Sequence, residues 1–429
     1  MSDGKLPVSA TQPPPWYQAG LDHVWLPYAQ MKTMRPPLAV ARTQGCRIVL
    51  ADGRELIDGI ASWWTACHGY NHPHLREAVE RQLAEMPHVM FGGLTHEQPL
   101  RLARRLTALL PGDLERVFFS ESGSVAVEVA MKMATQYWAN RGEPARNRFI
   151  AFKGGYHGDT TGAMAVSDPG AGIHGAFRGL LPRHTISEFP FDADSLQRFE
   201  EYLECRGEDY AAIIVEPLVQ GAGGMKFHDD ELLRQLRITA DSYGLLLIFD
   251  EIFTGFGRTG TNFACERADV VPDIVTLSKA LTGGTLPLAA TVARRHVFEA
   301  FWSDDPKQAL MHGPTYMGNA LACAAANASL DLFAREPRLA QVKDIETQMT
   351  RELAVCRGRR GVKDVRVRGA IGVVELERID DVDAMRAKFV DEGVFVRPFG
   401  NVVYLTPSFT IAADELSKLT GTIVKVIGS

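Results

Sequence analysis

Two residues that end apolar runs could do chemistry together. Asp250 follows residues 245–249, the most apolar run in the chain, and Lys279 follows another such run, residues 273–277. A carboxylate at the end of a buried strand needs a cationic partner. A lysine in such a place loses part of its charge preference to desolvation and can act as a nucleophilic amine. Singly, each residue type is more often structural: an ion pair or helix cap for the aspartate, a solvated surface group for the lysine.

Other polar residues follow other apolar runs. Residues 117–119 lead into Ser120-Glu121-Ser122-Gly123-Ser124, and residues 148–152 lead to Gly154-Gly155-Tyr156-His157-Gly158-Asp159. Residues 211–215 lead into Glu216-Pro217, with Gln220-Gly221-Ala222-Gly223-Gly224 just beyond. Gly123 and Ser124 open a segment of helical spacing, and a helix start with free N–H groups suits a phosphate. Taken alone, Ser122 or Ser124 reads more readily as a helix cap. Tyr156 could offer an aromatic face to a ring, or simply pack in the core. As a set these residues say more. An amine able to form a Schiff base and an acid for a pyridinium nitrogen are the minimal protein equipment for pyridoxal phosphate.

Such residues converge only if the apolar runs are strands of one sheet. Runs at 117–119, 148–152, 211–215, 245–249, 273–277 and 288–292 alternate with helical segments such as 125–138 and 230–243. This pattern predicts an α/β layer structure with a mostly parallel sheet. Ligands of such sheets bind beyond the carboxyl ends of the strands, where these polar residues lie. Residues 46–58 read as a hairpin turning at Asp52-Gly53. A helical stretch over 318–356 should break at Pro337, and α/β patterning returns from 370 to 426. We expect a flexible arm over 1–20, a large domain over 76–335, and a smaller α/β domain built from both chain ends, 21–75 and 336–429.

Composition narrows the function classes. With 46 Lys+Arg against 52 Asp+Glu, the net charge is −6, and no long basic run suggests nucleic-acid binding. The six cysteines form no CxxC pair, which predicts reduced, packed thiols in a cytosolic protein. The N-terminal segment has one Lys, a Pro13–Pro15 run and no apolar core of a secretory signal. The apolar runs are too short to cross a bilayer. His72-Pro73-His74 and Tyr156-His157 have no HExxH or carboxylate-rich companion, so no metal is expected.

The run Asp250-Glu251-Ile252-Phe253-Thr254-Gly255-Phe256-Gly257-Arg258-Thr259-Gly260, followed by Ser278-Lys279-Ala280-Leu281-Thr282-Gly283-Gly284, resembles the signature of class III aminotransferases. These are fold type I pyridoxal-phosphate enzymes. The resemblance extends from about residue 25 to about residue 419, and its signature is long and spaced. Further segments carry a finer likeness: Trp25-Leu26-Pro27-Tyr28, Ser62-Trp63-Trp64, His88-Val89-Met90-Phe91-Gly92-Gly93, Met311-His312-Gly313-Pro314-Thr315 and Arg397-Pro398-Phe399-Gly400. They are similar to those of family members that move an amino group from S-adenosylmethionine to 8-amino-7-oxononanoate, giving 7,8-diaminononanoate in biotin biosynthesis.

The resemblance implies roles. Lys279 corresponds to the lysine that carries the cofactor and moves the proton, and Asp250 to the partner of the pyridine nitrogen. Gly123 and Ser124 match the phosphate cradle, Tyr156 the stacking aromatic, and Glu216 a position near the cofactor hydroxyl. Pro314 and Thr315 match a phosphate-binding loop that reaches across from the second subunit of a homodimer. Arg397 matches the residue that grips the acceptor's carboxylate, while Tyr28, Trp63, Trp64, Tyr156 and Gly313 match the substrate site. Neighbouring side chains diverge, so one of the two tryptophans is expected to line the pocket. Aromatic faces could also attract the donor's sulfonium. Arg258 reads as structural.

Leu26, Phe253 and Thr406-Pro407-Ser408-Phe409 depart from the family pattern, which usually has His, Ala and Met-Pro-Pro-Tyr there. None touches the transfer chemistry; Leu26 and Phe253 bear on the amino donor. The rivals are a class III enzyme using lysine, glutamate or another ω-amino substrate, a pyridoxal-phosphate-binding regulator, and a nucleotide-binding protein using Gly221 to Gly224. The regulator would need a DNA-binding module that the short segment before Trp25 cannot supply. The nucleotide reading lacks the GxGxxG spacing.

Overall fold

The computed structural model describes residues 13–171 and 174–428. The arm expected over residues 1–20 lies outside the described residues as far as residue 12. From Pro15 to Leu21 the chain is a short helix with a proline in its first turn and no buried residue.

A seven-stranded sheet organises the molecule. Its order is Leu114–Ser120, Ala289–Arg294, Ile274–Leu277, Leu246–Asp250, Tyr210–Val215, Arg148–Phe152, Thr185–Ser187. Only Ala289–Arg294 runs antiparallel to its neighbours. The central strands Tyr210–Val215 and Leu246–Asp250 are buried at every position. Helices cover both faces of such strands, so they carry no polar alternation. One layer of core, including Leu247, Phe249 and Val275, packs on one face; another, with Val127, Ala130 and Ile248, packs on the other. The carboxyl ends Ser120, Phe152, Val215, Asp250 and Leu277 fall on one edge, as the sequence requires.

The hairpin forms as expected. Arg47–Leu50 pairs antiparallel with Glu55–Asp58, and the turn's Gly53 has φ +87°. Val394–Phe395 adds to this sheet in parallel, Phe395 opposite Asp58, so both ends of the chain share one sheet. A second antiparallel sheet joins Val362–Arg368, Ile371–Leu376 and Val402–Leu405. The long helical stretch breaks at Pro337 into Ala320–Arg335 and Arg338–Leu353.

One local conformation departs from ordinary backbone. Ala61, Ser62, Trp63 and Trp64 have φ of +46°, +47°, +52° and +74°. They form a left-handed turn, closed by Trp64 N–H to Ile60 O (2.9 Å) and Thr65 N–H to Ala61 O (2.9 Å). Left-handed helical backbone costs about 1–2 kcal/mol per non-glycine residue, so the surrounding structure must hold it.

Candidate active site

Asp250 ends the central strand with its carboxylate buried. Its Oδ1 accepts from Ile252 N–H (3.1 Å) and Thr276 Oγ1 (3.2 Å), and its Oδ2 lies 2.7 Å from His157 Nδ1. Burial opposes protonation of His157, but the hydrogen bond and charge of Asp250 raise its pKa above the usual imidazole value. His157 therefore donates. Oδ2 keeps a free lone pair, so Asp250 can hold a second N–H.

Lys279 sits just past the neighbouring strand with φ +47°, a strained geometry for a lysine. Its Nζ lies 4.1 Å from the centroid of the Trp64 ring. No ion pair or hydrogen bond holds that Nζ among the described residues. Desolvation lowers its pKa to about 8, while Asp250 and Glu216 pull the other way. The shift makes the neutral amine easier to reach than in an exposed lysine. Glu216 is buried; its Oε2 accepts from Tyr156 N–H and its Oε1 from Gly221 N–H, each at 2.9 Å. Burial pushes its pKa up to about 7.

The helix Gly123–Asn140 begins at this edge. Ser122 caps it by accepting from Val125 N–H (3.3 Å), which leaves the first-turn N–H groups of Gly123 and Ser124 without a backbone partner among the described residues. Such groups at the start of an 18-residue helix favour an anion. The loop after residues 148–152 presses against this turn: a Cβ on Gly158, where φ is +130°, would lie 2.1 Å from Ser124 Oγ. An unpaired amine, an acid with a free lone pair and an anion-binding helix start are the attachments that pyridoxal phosphate needs, so the residues present fit that group.

Tyr156 stacks on His174 at 5.6 Å and lies 3.2 Å, oxygen to oxygen, from Tyr28. Asp159 ties the cluster, accepting from Tyr28 and pairing with His174 Nε2 at 2.9 Å. Burial and Asp159 raise the Tyr28 pKa to about 12. Trp63 stands at 6.3 Å from Tyr28, and the Arg397 guanidinium lies over the Trp63 ring at 4.9 Å. Arg397 is half-buried and has no carboxylate partner among the described residues. Both tryptophans therefore abut candidate residues. The left-handed turn sets Trp63 against Arg397 and Trp64 against Lys279.

A cavity of about 670 Å³ opens beyond this cluster, walled by Leu26, Tyr28, Arg35, Leu50, Arg386 and Arg397. Lys279, Asp250 and Ser124 do not line it, so it adjoins the cleft only at Tyr28 and Arg397. Gly313, Pro314 and Thr315 lie elsewhere, on a loop whose Met311 and Tyr316 are exposed. Among the described residues they make no hydrogen bond to Lys279, Asp250 or Ser124, while the neighbouring His312 packs on Phe118 at 5.8 Å and Met311 O accepts from Lys132 Nζ at 2.9 Å.

Phe253 packs under Trp64, centroids 4.2 Å apart. Arg258 is buried over Phe409 at 4.5 Å and donates to Pro407 O (2.8 Å) and Ala370 O (3.2 Å), which fits a structural part. His72 accepts from His74 N–H at a helix start, and His74 pairs with Asp331. Gly221 to Gly224 lie at the bend between the short strands Val219–Gln220 and Lys226–Phe227. Sequence reasoning missed Asp159, His174 and Asp58, and weighed His157 only for metal. The first and last of these signals sat in the quoted run from Gly154 to Asp159; His174 and Asp58 gave none.

The family described as "Aminotransferase class-III" matches residues 28–427, and the chain belongs to that family of pyridoxal-phosphate-dependent aminotransferases. It is 44% identical over 408 residues to the adenosylmethionine-8-amino-7-oxononanoate aminotransferase of Buchnera aphidicola from Acyrthosiphon pisum, covering 94% of this chain and 95% of that one. Among solved structures, the adenosylmethionine-8-amino-7-oxononanoate aminotransferase of Methanocaldococcus jannaschii superposes with a TM-score of 0.90 at 31% identity, covering 96% and 98% of the two chains. An (S)-enantioselective ω-transaminase from Thermomicrobium roseum superposes with 0.89 at 30% identity, covering 96% and 97%.

Proposed function

We propose that this aminotransferase moves an amino group from S-adenosylmethionine to 8-amino-7-oxononanoate, giving 7,8-diaminononanoate in biotin biosynthesis. The observation that carries the reading is Arg397: a half-buried guanidinium without a carboxylate partner, stacked on Trp63 beside Tyr28. A long-chain acid could lay its aliphatic part along Trp63 and Trp64 and place its carboxylate on that fork. The names of the relatives support the same pair of substrates.

When bound, pyridoxal phosphate supplies an electron sink for the carbon that loses its proton and keeps the amino group between two half-reactions. Lys279 would hold the cofactor and then, as a free amine, take and return the proton at the substrate carbon. Asp250, fixed by His157, would keep the ring nitrogen protonated. The N–H groups of Gly123 and Ser124 would bind the phosphate, Tyr156 would cover the ring face, and Glu216 would lie beside the ring hydroxyl. Tyr28 and Tyr156, tied by Asp159, would shape the mouth of the cleft.

Gly313, Pro314 and Thr315 lie on a loop with exposed neighbours Met311 and Tyr316 and, among the described residues, make no hydrogen bond to Lys279, Asp250 or Ser124, which supports a homodimer in which that loop serves the partner's phosphate and substrate. The reading includes a large domain over 76–335, a small one from 21–75 and 336–429, and, from six unbridged cysteines, a cytosolic location. Among the described residues no helix is long and apolar enough to cross a membrane.

The test is product formation. Purified enzyme given 8-amino-7-oxononanoate with S-adenosylmethionine, lysine or glutamate should yield 7,8-diaminononanoate by mass spectrometry only with the first. Product with lysine or glutamate alone would keep the acceptor and overturn the donor.

A further inference from the structure

Trp63 and Trp64 touch the two ends of the cleft, Arg397 and Lys279, and both stand on the same strained turn. Something must hold four left-handed residues against their preference. The buried carboxylate of Asp58 faces that turn. Its Oδ1 accepts from Ile60 N–H at 2.8 Å; its Oδ2 accepts from Ser62 N–H at 3.0 Å and from Tyr70 Oη at 2.6 Å. Tyr70 also hydrogen-bonds Ser62 Oγ. Asp58 is itself fixed in the hairpin strand, its N–H donating to Cys46 O (2.8 Å) and its backbone pairing with Phe395. No ion pair meets this buried carboxyl group among the described residues, and burial raises its pKa above the usual carboxylate value. Three donors take the place of a counter-ion, and two of them are the N–H groups on either side of Ala61.

We propose that Asp58, backed by Tyr70, is a positioning residue: it pins the left-handed turn Ala61–Trp64 and so sets Trp64 against Lys279 and Trp63 against Arg397 as one unit. The inference rests on the functional reading of Lys279 and Arg397. Ordinary capping would satisfy N–H groups at a right-handed helix start. Here the same chemistry selects the mirror conformation, which by itself would revert. The two tryptophans are then coupled, so one loosened carboxylate should disturb both ends of the cleft.

Asp58→Asn keeps the volume but can turn an N–H toward the Ser62 N–H, and Tyr70→Phe removes one donor with less risk to folding. Glycine pays no Cβ penalty at positive φ, so Ser62→Gly should lower the need for the latch. The holoenzymes of wild type, the two single variants and their Ser62→Gly doubles would be compared well below their melting temperatures. Near-ultraviolet circular dichroism in the tryptophan region and steady-state kinetics would be read. We expect both single variants to change the tryptophan signal. They should also raise KM for the acceptor and lower kcat together, by about tenfold or more for Asp58→Asn, as small misplacements do. Ser62→Gly should return both readouts toward wild type. A lowered melting temperature with unchanged tryptophan signal and kinetics would overturn the proposal, and so would changes that Ser62→Gly leaves uncorrected. If 8-amino-7-oxononanoate is no substrate even for wild type, the functional reading fails, and the tryptophan signal and its rescue still decide the part played by Asp58.

Discussion

His157 Nδ1 donates to Asp250 Oδ2 across 2.7 Å, with both side chains buried. The histidine fixes the carboxylate that faces the candidate cofactor site, while Thr276 and the Ile252 N–H hold its other oxygen. Because the His157 pKa is raised above its ordinary 6.5, the folded state keeps a proton that the unfolded chain gives up sooner. The pair's stabilisation is complete below that ordinary value and is lost as pH rises through the raised one. His157→Leu leaves a buried carboxylate without its partner and should cost about 3–5 kcal/mol. Denaturant unfolding on the acid side and at higher pH should show the gap to wild type shrinking as pH rises. Cofactor retention, read from the visible spectrum, should fall with it.

Lys279 titrates in the opposite sense. Its pKa drops from 10.5 to about 8, so between those values the unfolded chain binds more protons than the folded one. Stability of the cofactor-free protein should rise with pH across that window. Lys279→Met should flatten the rise and leave the cofactor-free protein at least as stable as wild type at neutral pH, measured by denaturant midpoints. With cofactor added, the variant should lose the visible band. Loss of general-base catalysis alone is expected to slow turnover by about 10²–10⁴-fold.

Arg397 should matter to one substrate only. Arg397→Ala removes a charged hydrogen-bond donor worth about 1.5–3 kcal/mol, which should raise KM for the acceptor by roughly 10- to 150-fold. Arg397→Lys should recover little, since an ammonium cannot offer the planar fork. Half-reaction kinetics with the donor alone should stay near wild type.

Phe253 and Gly221 form a packing pair. A Cβ on Gly221 would come within 2.9 Å of the Phe253 ring, and that ring lies under Trp64. Gly221→Ala should therefore destabilise by overpacking, about 1–3 kcal/mol. Phe253→Ala opens a cavity costing about 3–5 kcal/mol. The double variant should cost less than the sum, a coupling that unfolding midpoints would reveal.

The sheet and its functional edge were legible in the sequence because central parallel strands are apolar throughout and their polar ends stand out. Lys279, Asp250 and the Gly123-Ser124 turn followed from that pattern; the double tryptophan and Arg397 became readable through family resemblance. Val362–Arg368 was not expected as a strand, since four of its seven residues are charged and it lies at a sheet edge. The left-handed turn was invisible because none of its residues is glycine. Asp58 read only as the end of a hairpin: its partners are backbone N–H groups, which leave no mark in side-chain spacing. The Asp159–His174 pair depends on a loop return that no periodicity predicts.

The most direct test of the whole account is a spectral titration of the purified holoenzyme. S-adenosylmethionine alone should abolish the visible band of the lysine-bound cofactor, and 8-amino-7-oxononanoate should restore it. Lys279→Met should show neither change. A band that disappears with lysine or glutamate and ignores S-adenosylmethionine would contradict the proposed donor. No visible band after added pyridoxal phosphate would contradict the part assigned to Lys279.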